Sequence, residues 1–384
     1  MICIKNGRIF NAISPQPFVA DILVDGTTIR EIGENLSVPE GCEVIDAEGL
    51  SVFPGFIDAH CHIGLDGTAI GYEGRDYNEM NDPVTPHLRA IDGINPMDDS
   101  LRLAMEAGVT CISTGPGSSN ALGGTFTAIK TNGIRVDSMI VKAETAMKCA
   151  FGENPKRVYK DKCISSRMTN AALIREALNK AKLYLAKKEA AGDDVLKAPA
   201  FDAKLEALIP VLKKQIPLKA HAHQANDMFT ALRIAKEFDV NITLEHVTEG
   251  HLIVDELVKE NVPLAVGPTL GQPSKFELQH KCWETPGVLA KAGCQVSIIT
   301  DAPVIPQQHL PLCAAMAVKA GMEPFQALQA ITINPARHIG IQDRVGSLEV
   351  GKDADIVITD GCPFQLETNI KYVLCSGKVV HTKQ

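Results

Sequence analysis

Five residues of this chain are candidate metal ligands, and all of them stand at the carboxyl end of an apolar run. They are His60, His62, His221, His246 and Asp301. His60 and His62 are two residues apart, and in a β-strand side chains at that spacing point to the same face. Their imidazoles therefore converge, and neutral imidazole together with carboxylate is a ligand set that zinc-like metals prefer. The pattern predicts a metal centre built from several strand ends.

Asp301 follows the apolar segment 296–300, so its carboxylate is expected to be buried. A buried carboxylate needs a partner, and a metal ion or a water molecule bound to one would serve. The alternative is that Asp301 caps a helix that begins near Pro303. The two roles do not exclude each other.

The composition indicates a large, water-soluble protein. The chain has 384 residues, 45% of them hydrophobic, and a formal net charge of −8. It has no block of Lys or Arg, which argues against a nucleic-acid partner, and its 11 cysteines form no CxxC pair, which argues against a disulfide framework. The amino terminus resembles a strand rather than a signal peptide, and no run approaches the ~20 apolar residues of a membrane helix. We therefore expect a cytoplasmic protein without a membrane partner.

Apolar runs alternate with helical patterns through the middle of the chain, which is typical of βα units around a parallel sheet. Eight candidate strands are expected to end near His62, Thr114, Ala143, Gly152, His223, His246, Gly267 and Asp301. Residues 115–124, after the second strand, are rich in Gly and are expected to form a loop. Eight βα units predict an α/β fold, a (β/α)8 TIM barrel, whose chemistry lies at the carboxyl ends of the strands. The long segment 64–97 would form a loop over that end.

Both ends of the chain have short β-type runs separated by Gly turns. Residues 1–52 and 345–384 are therefore expected to meet in one small β-sandwich built from the N- and C-terminal segments. Residues 53–344 would form the barrel, since about 250 residues is a routine length for such a domain.

Several motifs together resemble the amidohydrolase superfamily. They extend nearly from end to end of the chain: Pro54-Gly55-Phe56-Ile57-Asp58-Ala59-His60-Cys61-His62, His221, His246, Asp301, Asn334-Pro335-Ala336-Arg337 and Gly346-Ser347-Leu348-Glu349-Val350-Gly351-Lys352-Asp353-Ala354-Asp355. The resemblance implies a metal-dependent hydrolase with a split β-sandwich. It also implies one or two divalent metal ions, with zinc as the expected metal.

The resemblance also implies a role for each ligand. His60, His62 and Asp301 would bind the first metal ion. His221 and His246 would bind a second ion, or hold water and substrate in members that bind one. Asp301 would act as general base as well, because a metal lowers the pKa of its bound water toward ~7 and a nearby carboxylate accepts the proton.

Members with two ions need a bridging ligand from strand 3 or 4, and this region contains several candidates. Lys148 lies in an apolar strand and would bridge as a carboxylated lysine, as in dipeptidase-type members. Glu153 lies at a strand end and would bridge through its carboxylate, as in deacetylase-type members. Glu144 is a lesser candidate. The alternatives are a Lys148 that extends to solvent and a Glu153 that caps a helix.

The residues after His221 separate the subgroups. Deaminase-type members and imidazolonepropionase have a Glu three positions later, whereas this chain has Gln224, which cannot transfer a proton as a carboxyl group does. A carboxylate from elsewhere beside Gln224 would restore that alternative. His223 and Gln224 are candidate substrate-binding residues; His223 would otherwise support the ligands or face the helix layer. Arg167 is a candidate clamp for a substrate carboxylate, with a surface position as the alternative.

We therefore predict an enzyme that hydrolyses a C–N bond of a small amide, dipeptide-like or cyclic amide substrate. The first alternative is a deaminase or an imidazolonepropionase-like enzyme. The second is a non-catalytic scaffold with the same barrel, although such relatives tend to lose metal ligands and every expected ligand is present here. Because oligomers are common among the proteins it resembles, we expect a homo-oligomer.

Overall fold

The computed structural model describes residues 1–67 and 71–383. In this part of the chain it contains two eight-stranded sheets and twelve α-helices. The strands are β1 (Ile2–Ile9), β2 (Phe18–Asp25), β3 (Thr28–Gly33), β4 (Glu43–Asp46), β5 (Ser51–Pro54), β6 (Phe56–Cys61), β7 (Val109–Thr114), β8 (Leu122–Lys130), β9 (Ile140–Ala150), β10 (Leu218–Ala222), β11 (Ile242–His246), β12 (Leu264–Val266), β13 (Val296–Ile298), β14 (Ile356–Thr359), β15 (Ile370–Cys375) and β16 (Lys378–Thr382). The helices are α1 (Asp99–Glu106), α2 (Val136–Met139), α3 (Glu153–Tyr159), α4 (Arg167–Ala191), α5 (Ala203–Glu206), α6 (Ile209–Leu212), α7 (Ala225–Phe238), α8 (Val254–Glu260), α9 (Thr285–Lys291), α10 (Leu310–Lys319), α11 (Pro324–Ala330) and α12 (Ile333–His338). Within the described residues, no helix combines the length and the apolar character needed to cross a bilayer.

Strands β6 to β13 form the barrel sheet, in chain order and nearly closed. β6, β7 and β8 are buried along their whole length, as expected of strands covered on both faces. Where the sheet closes, the His62 N–H donates to the Ala302 carbonyl at 2.7 Å, which joins the end of the first barrel strand to the turn after the last. The prediction of an α/β fold around an eight-stranded barrel sheet is thereby confirmed.

The barrel sheet is mixed, which corrects the expected all-parallel arrangement. The two strands expected to end near Ala143 and Gly152 are a single strand, β9. The missing strand is β8, which begins inside the predicted loop and pairs antiparallel with both β7 and β9. Seven residues, 115–121, join β7 to β8, whereas a parallel crossover needs a dozen or more. The short connection therefore forces the antiparallel pairing.

The two ends of the chain meet in the second sheet, as predicted. Its strand order is β16-β15-β14-β5-β1-β2-β3, with β4 beside β1. β5 pairs with β1 on one side and with β14, from the carboxyl-terminal segment, on the other. Ile4, Ile22 and Ile356 belong to the buried core of this sheet. The description of this unit as a β-sandwich, and the division at residues 52 and 345, stay predictions.

Gly55 joins the two sheets between β5 and β6. A Cβ atom at this position would lie 2.0 Å from Thr110 Oγ1, so only glycine allows the strand to pass this close. Thr110 Oγ1 in turn donates to the Asp355 carboxylate at 2.9 Å, and Lys130 pairs with the same carboxylate at 2.6 Å. These buried contacts attach the barrel to the second sheet at the start of β6, the strand that carries His60.

Candidate metal centre

His60, His62 and Asp301 form the first ligand group, at the carboxyl end of the barrel. Their ligand atoms all lie within 4.8 Å of one another. His62 Nε2 is 3.2 Å from Asp301 Oδ1, and His60 Nε2 is 3.7 Å from the same oxygen. Burial opposes the charge of Asp301, but the imidazoles of His246 and His62 outweigh it and hold the pKa of this carboxyl far below its usual range. Asp301 is therefore an ionised carboxylate at the point where two imidazoles converge.

The orientation of these imidazoles is set by what their Nδ1 atoms contact. His62 Nδ1 donates to the Gly115 carbonyl at 2.7 Å, and His246 Nδ1 donates to the Gly267 carbonyl at 2.8 Å. His60 Nδ1 donates to Glu245 at 3.1 Å. Because carbonyl and carboxylate oxygens only accept hydrogen bonds, the proton stays on Nδ1 and the Nε2 lone pair faces the centre.

His221, His223 and His246 form the second ligand group, again with ligand atoms within 4.8 Å of one another. Burial lowers the pKa of His246 to about 4 and the pKa values of His221 and His223 well below their usual range. All three are therefore neutral, which is the form that binds metal. Within residues 1–67 and 71–383, Nε2 of His221 and Nε2 of His246 have no hydrogen-bond partner.

Two of the candidate ligands have a strained backbone. His246 has a φ of +75° and Asp301 a φ of +53°, in the left-handed region that residues other than glycine rarely adopt. Each such residue costs on the order of 1–3 kcal/mol, and this kind of strain is concentrated at functional sites. Both residues lie where a barrel strand ends, so the strained turns belong to the centre itself.

Lys148 is completely buried on β9, and its Nζ lies 3.1 Å from His60 Nε2. Burial lowers the pKa of Lys148 to about 8, against the opposing effect of Asp301 and Glu245. Its charge also contributes, after burial, to the lowered pKa values of His221 and His246. Lys148 is therefore a buried side chain in direct contact with His60 of the first ligand group.

Glu153 and Arg167 lie beside the centre without joining either ligand group. Glu153 is the first residue of α3, and its carboxylate accepts from the Glu277 N–H at 3.4 Å. Arg167 donates from Nε to Asp227 at 2.9 Å and from Nη2 to Gln224. The Arg167 guanidinium is thus held by protein oxygens, and Gln224 is its neighbour.

Of the predicted ligands, the structure brings together His60, His62, Lys148, His221, His246 and Asp301.

Glu277 and Glu245 are buried acids of the centre that sequence analysis missed. Glu277 belongs to a short 3-10 turn, Phe276–Leu278, in the connection after β12, and no motif surrounds it. Its Oε1 lies 3.5 Å from His221 Nε2 and 3.6 Å from His223 Nε2. Glu245 stands in the apolar run just before His246, and a charged residue inside a buried strand was the signal that could have identified it.

The Glu245 carboxylate joins His60, Lys219 and His338 into one buried hydrogen-bonded cluster. It accepts from His60 Nδ1, from Lys219 Nζ at 2.9 Å and from His338 Nε2 at 2.8 Å. Lys219 and His338 keep the pKa of Glu245 well below its usual range in spite of burial. This ionised carboxylate orients His60 and increases the basicity of its Nε2 atom.

Comparison with known proteins places this geometry in a family. The chain matches the model of the amidohydrolase family over residues 51–382. Its fold superposes on the crystal structure of an amidohydrolase from Thermotoga maritima MSB8 with a TM-score of 0.96 and 41% sequence identity, over 100% of both chains. The chain is also similar to amidohydrolase tasK of Hapsidospora irregularis, at 29% identity over 90% of this chain.

A third relative is an adenine deaminase of Lactobacillus delbrueckii subsp. bulgaricus, 23% identical over 93% of this chain. The present chain spans 38% of the length of tasK and 56% of the length of this deaminase. Both curated relatives therefore have a considerable length of chain that this sequence does not match.

Proposed function

Because the chain belongs to the amidohydrolase family of hydrolases that act on C–N bonds, we propose that it is a metal-dependent hydrolase of a small amide, dipeptide-like or cyclic amide substrate. One observation carries the proposal: within each of the two ligand groups the ligand atoms lie within 4.8 Å of one another, and the rings of His60 and His246, one from each group, have their centres 5.1 Å apart. Unpartnered Nε2 atoms of neutral histidines are costly in a buried site unless a cation binds them.

The donor set fits divalent metal ions, zinc above all. His60, His62 and Asp301 would hold one ion, and His221 and His246 a second. When bound, the ions polarise a carbonyl group and lower the pKa of water toward ~7.

Asp301 is the residue that moves the proton. As an ionised carboxylate, it accepts a proton from the attacking water and returns it to the leaving nitrogen. The water oxygen forms a bond to the carbonyl carbon, the C–N bond breaks, and the products are a carboxylic acid and an amine. His60 and His62 hold the position of this carboxylate, and Glu245 fixes the orientation of His60.

A cavity beside the centre has the size of a small-molecule site. Its volume is about 730 Å³, within the usual ~300–1,000 Å³ of ligand pockets. Tyr77 in its wall has its ring centre 5.4 Å from that of His62, and Gly123 borders the Lys148 side chain. Described parts of the segment 64–97, the predicted long loop, line this cavity, while residues 68–70 lie outside the described range. We propose that substrate enters here.

Removal of metal tests the proposed function. We expect the purified protein to contain divalent metal and to hydrolyse part of a panel of dipeptides, N-acyl amino acids and cyclic amides. Dialysis against a chelator should abolish turnover, and stoichiometric zinc should restore it. Metal content is measured by elemental analysis and turnover by product formation. The matched control is His381→Ala in β16, which should leave metal content unchanged; a wild-type protein without metal or turnover would instead support a scaffold.

Lys148 is the ligand that we propose to link the two ions, as a carboxylated lysine. We expect Lys148→Ala to lower the metal content from two ions per chain to one, measured by elemental analysis after growth with and without added bicarbonate. The control is Lys142→Ala on the same strand, whose Nζ contacts the Ile339 carbonyl instead. Two ions retained in Lys148→Ala would refute this role and favour Glu153.

A deaminase is the second candidate function, because the structure supplies carboxylates where Gln224 replaces the expected Glu. Glu277 lies beside His221, and Asp227 shares the Arg167 guanidinium with Gln224. The two functions differ in their products. Ammonia released from aminopurines or aminopyrimidines would favour deamination, whereas a new carboxylic acid and amine from the amide panel would favour hydrolysis of an amide.

A further inference from the structure

We propose that Glu277 and His223 are ligands of the second metal ion, together with His221 and His246. The proposal rests on the proposed function, in that it requires the centre to bind metal. It adds to the ligands that the family resemblance implies a carboxylate from the connection after β12 and the second histidine of the His221-Ala222-His223 segment.

The distances are those of ligand atoms around an ion. Glu277 Oε1 is 3.5 Å from His221 Nε2 and 3.6 Å from His223 Nε2, and these side chains do not form a hydrogen bond with one another. Two ligands that each lie about 2.1 Å from a tetrahedral ion are about 3.4 Å apart. The observed separations therefore match a shared cation better than a direct contact.

The far sides of the three imidazoles are already occupied. His221 Nδ1 contacts Ser118 Oγ at 2.9 Å, and His223 Nδ1 contacts Thr248 Oγ1 at 2.7 Å. His246 Nδ1 donates to a backbone carbonyl. Each Nε2 atom therefore faces the same interior as Glu277 Oε1. When the Ser118 and Thr248 hydroxyls accept from Nδ1, the Nε2 lone pairs of His221 and His223 face Glu277 Oε1, an arrangement that a bound cation would stabilise in addition to the Lys275 ammonium group.

The backbone around Gly152 is shaped to receive the Glu277 carboxylate. A Cβ atom at Gly152 would lie 2.6 Å from Glu277 Oε2, so the absence of a side chain there makes room for this oxygen. The next residue, Glu153, donates its N–H to the same oxygen at 2.9 Å. With Oε2 held by the backbone, Oε1 is left to face His221 and His223, where Lys275 is its counter-charge.

Glu277 has a matched control in Glu153. Each of these acids hydrogen-bonds to the backbone N–H of the other, so Glu277→Gln and Glu153→Gln remove the same charge from nearly the same place. Only Glu277 faces the imidazole Nε2 atoms. A general electrostatic effect would weaken metal binding in both variants, whereas ligation would weaken it in Glu277→Gln alone.

The experiment is a titration of the metal-free full-length protein with Zn²⁺ against a chromophoric chelator, for wild type and each variant. We expect wild type to bind two ions. Glu277→Gln should weaken one of the two sites by at least ~100-fold, since even an outer-shell partner is worth 10–100-fold, while Glu153→Gln stays within about threefold of wild type. His223→Gln is the second variant and should weaken the same site. Circular dichroism verifies that each variant is folded, and the visible absorption of the Co²⁺-loaded proteins reports the change of ligands.

Two tight sites retained in both Glu277→Gln and His223→Gln would overturn the proposal and leave the proposed function intact. Weakening in Glu153→Gln but not in Glu277→Gln would overturn it too, and would assign the carboxylate ligand to Glu153. A wild-type protein that binds no Zn²⁺ would refute the proposed function itself.

Discussion

Asp301→Asn is expected to lower turnover by at least about 10³-fold at saturating metal while the protein stays folded. The asparagine amide has the size and shape of the carboxylate but does not accept a proton, and a positioned general base contributes roughly 10²–10⁴-fold. The loss of a charged ligand adds to this effect, because Asp301 Oδ1 lies next to both His60 and His62.

The measurement is kcat on whichever amide substrate the panel identifies, with increasing zinc so that incomplete loading does not account for the loss. Asp343→Asn, at an exposed turn, is the control and should retain wild-type kcat. A kcat within tenfold of wild type in Asp301→Asn would show that another group carries the proton, and the assignment of Asp301 as the base would be wrong.

Glu245→Ala is expected to lower the free energy of unfolding by about 3–5 kcal/mol, which is the usual cost of removing one partner of a buried ion pair. Lys219 is almost completely buried and pairs with this carboxylate, and His338 and His60 hydrogen-bond to it as well. Without Glu245, two imidazole N–H groups would lose their acceptor, and the buried Lys219 ammonium group would lose its counter-charge and keep only its hydrogen bond to the Ala59 carbonyl. Such groups keep most of their desolvation cost when the partner is gone.

The shift of the urea transition measures this loss. A double variant, Glu245→Leu with Lys219→Met, is the informative control, because it removes both charges and replaces them with apolar side chains of similar volume. We expect it to be more stable than Glu245→Ala, since a buried pair is often no better than well-packed apolar residues. If Glu245→Ala lowers the free energy of unfolding by less than about 1 kcal/mol, water reaches Lys219, and the cluster around Glu245 is not shielded from solvent.

Most of the candidate metal ligands were predictable because their signal is local. Each of these ends an apolar run, and the two-residue spacing of His60 and His62 places both side chains on the same face of a strand. The two terminal β segments were also recognisable from short runs and Gly turns. The strand β8 was not recognisable from the sequence, because its Gly123-Gly124 pair and alternating threonines resemble a loop. Its pairing with β7 and β9 also depends on partners elsewhere in the chain.

The sequence by itself determined the family resemblance, the two sets of histidines and Asp301, because residue type and spacing along a strand decide them. The tertiary structure alone decided which buried acids contact these histidines. Glu245 is 185 residues from His60, and Glu277 comes from a connection with no regular period. Contacts of this kind depend on how the barrel closes and on the path of its loops, and neither strand periodicity nor residue propensity encodes that path.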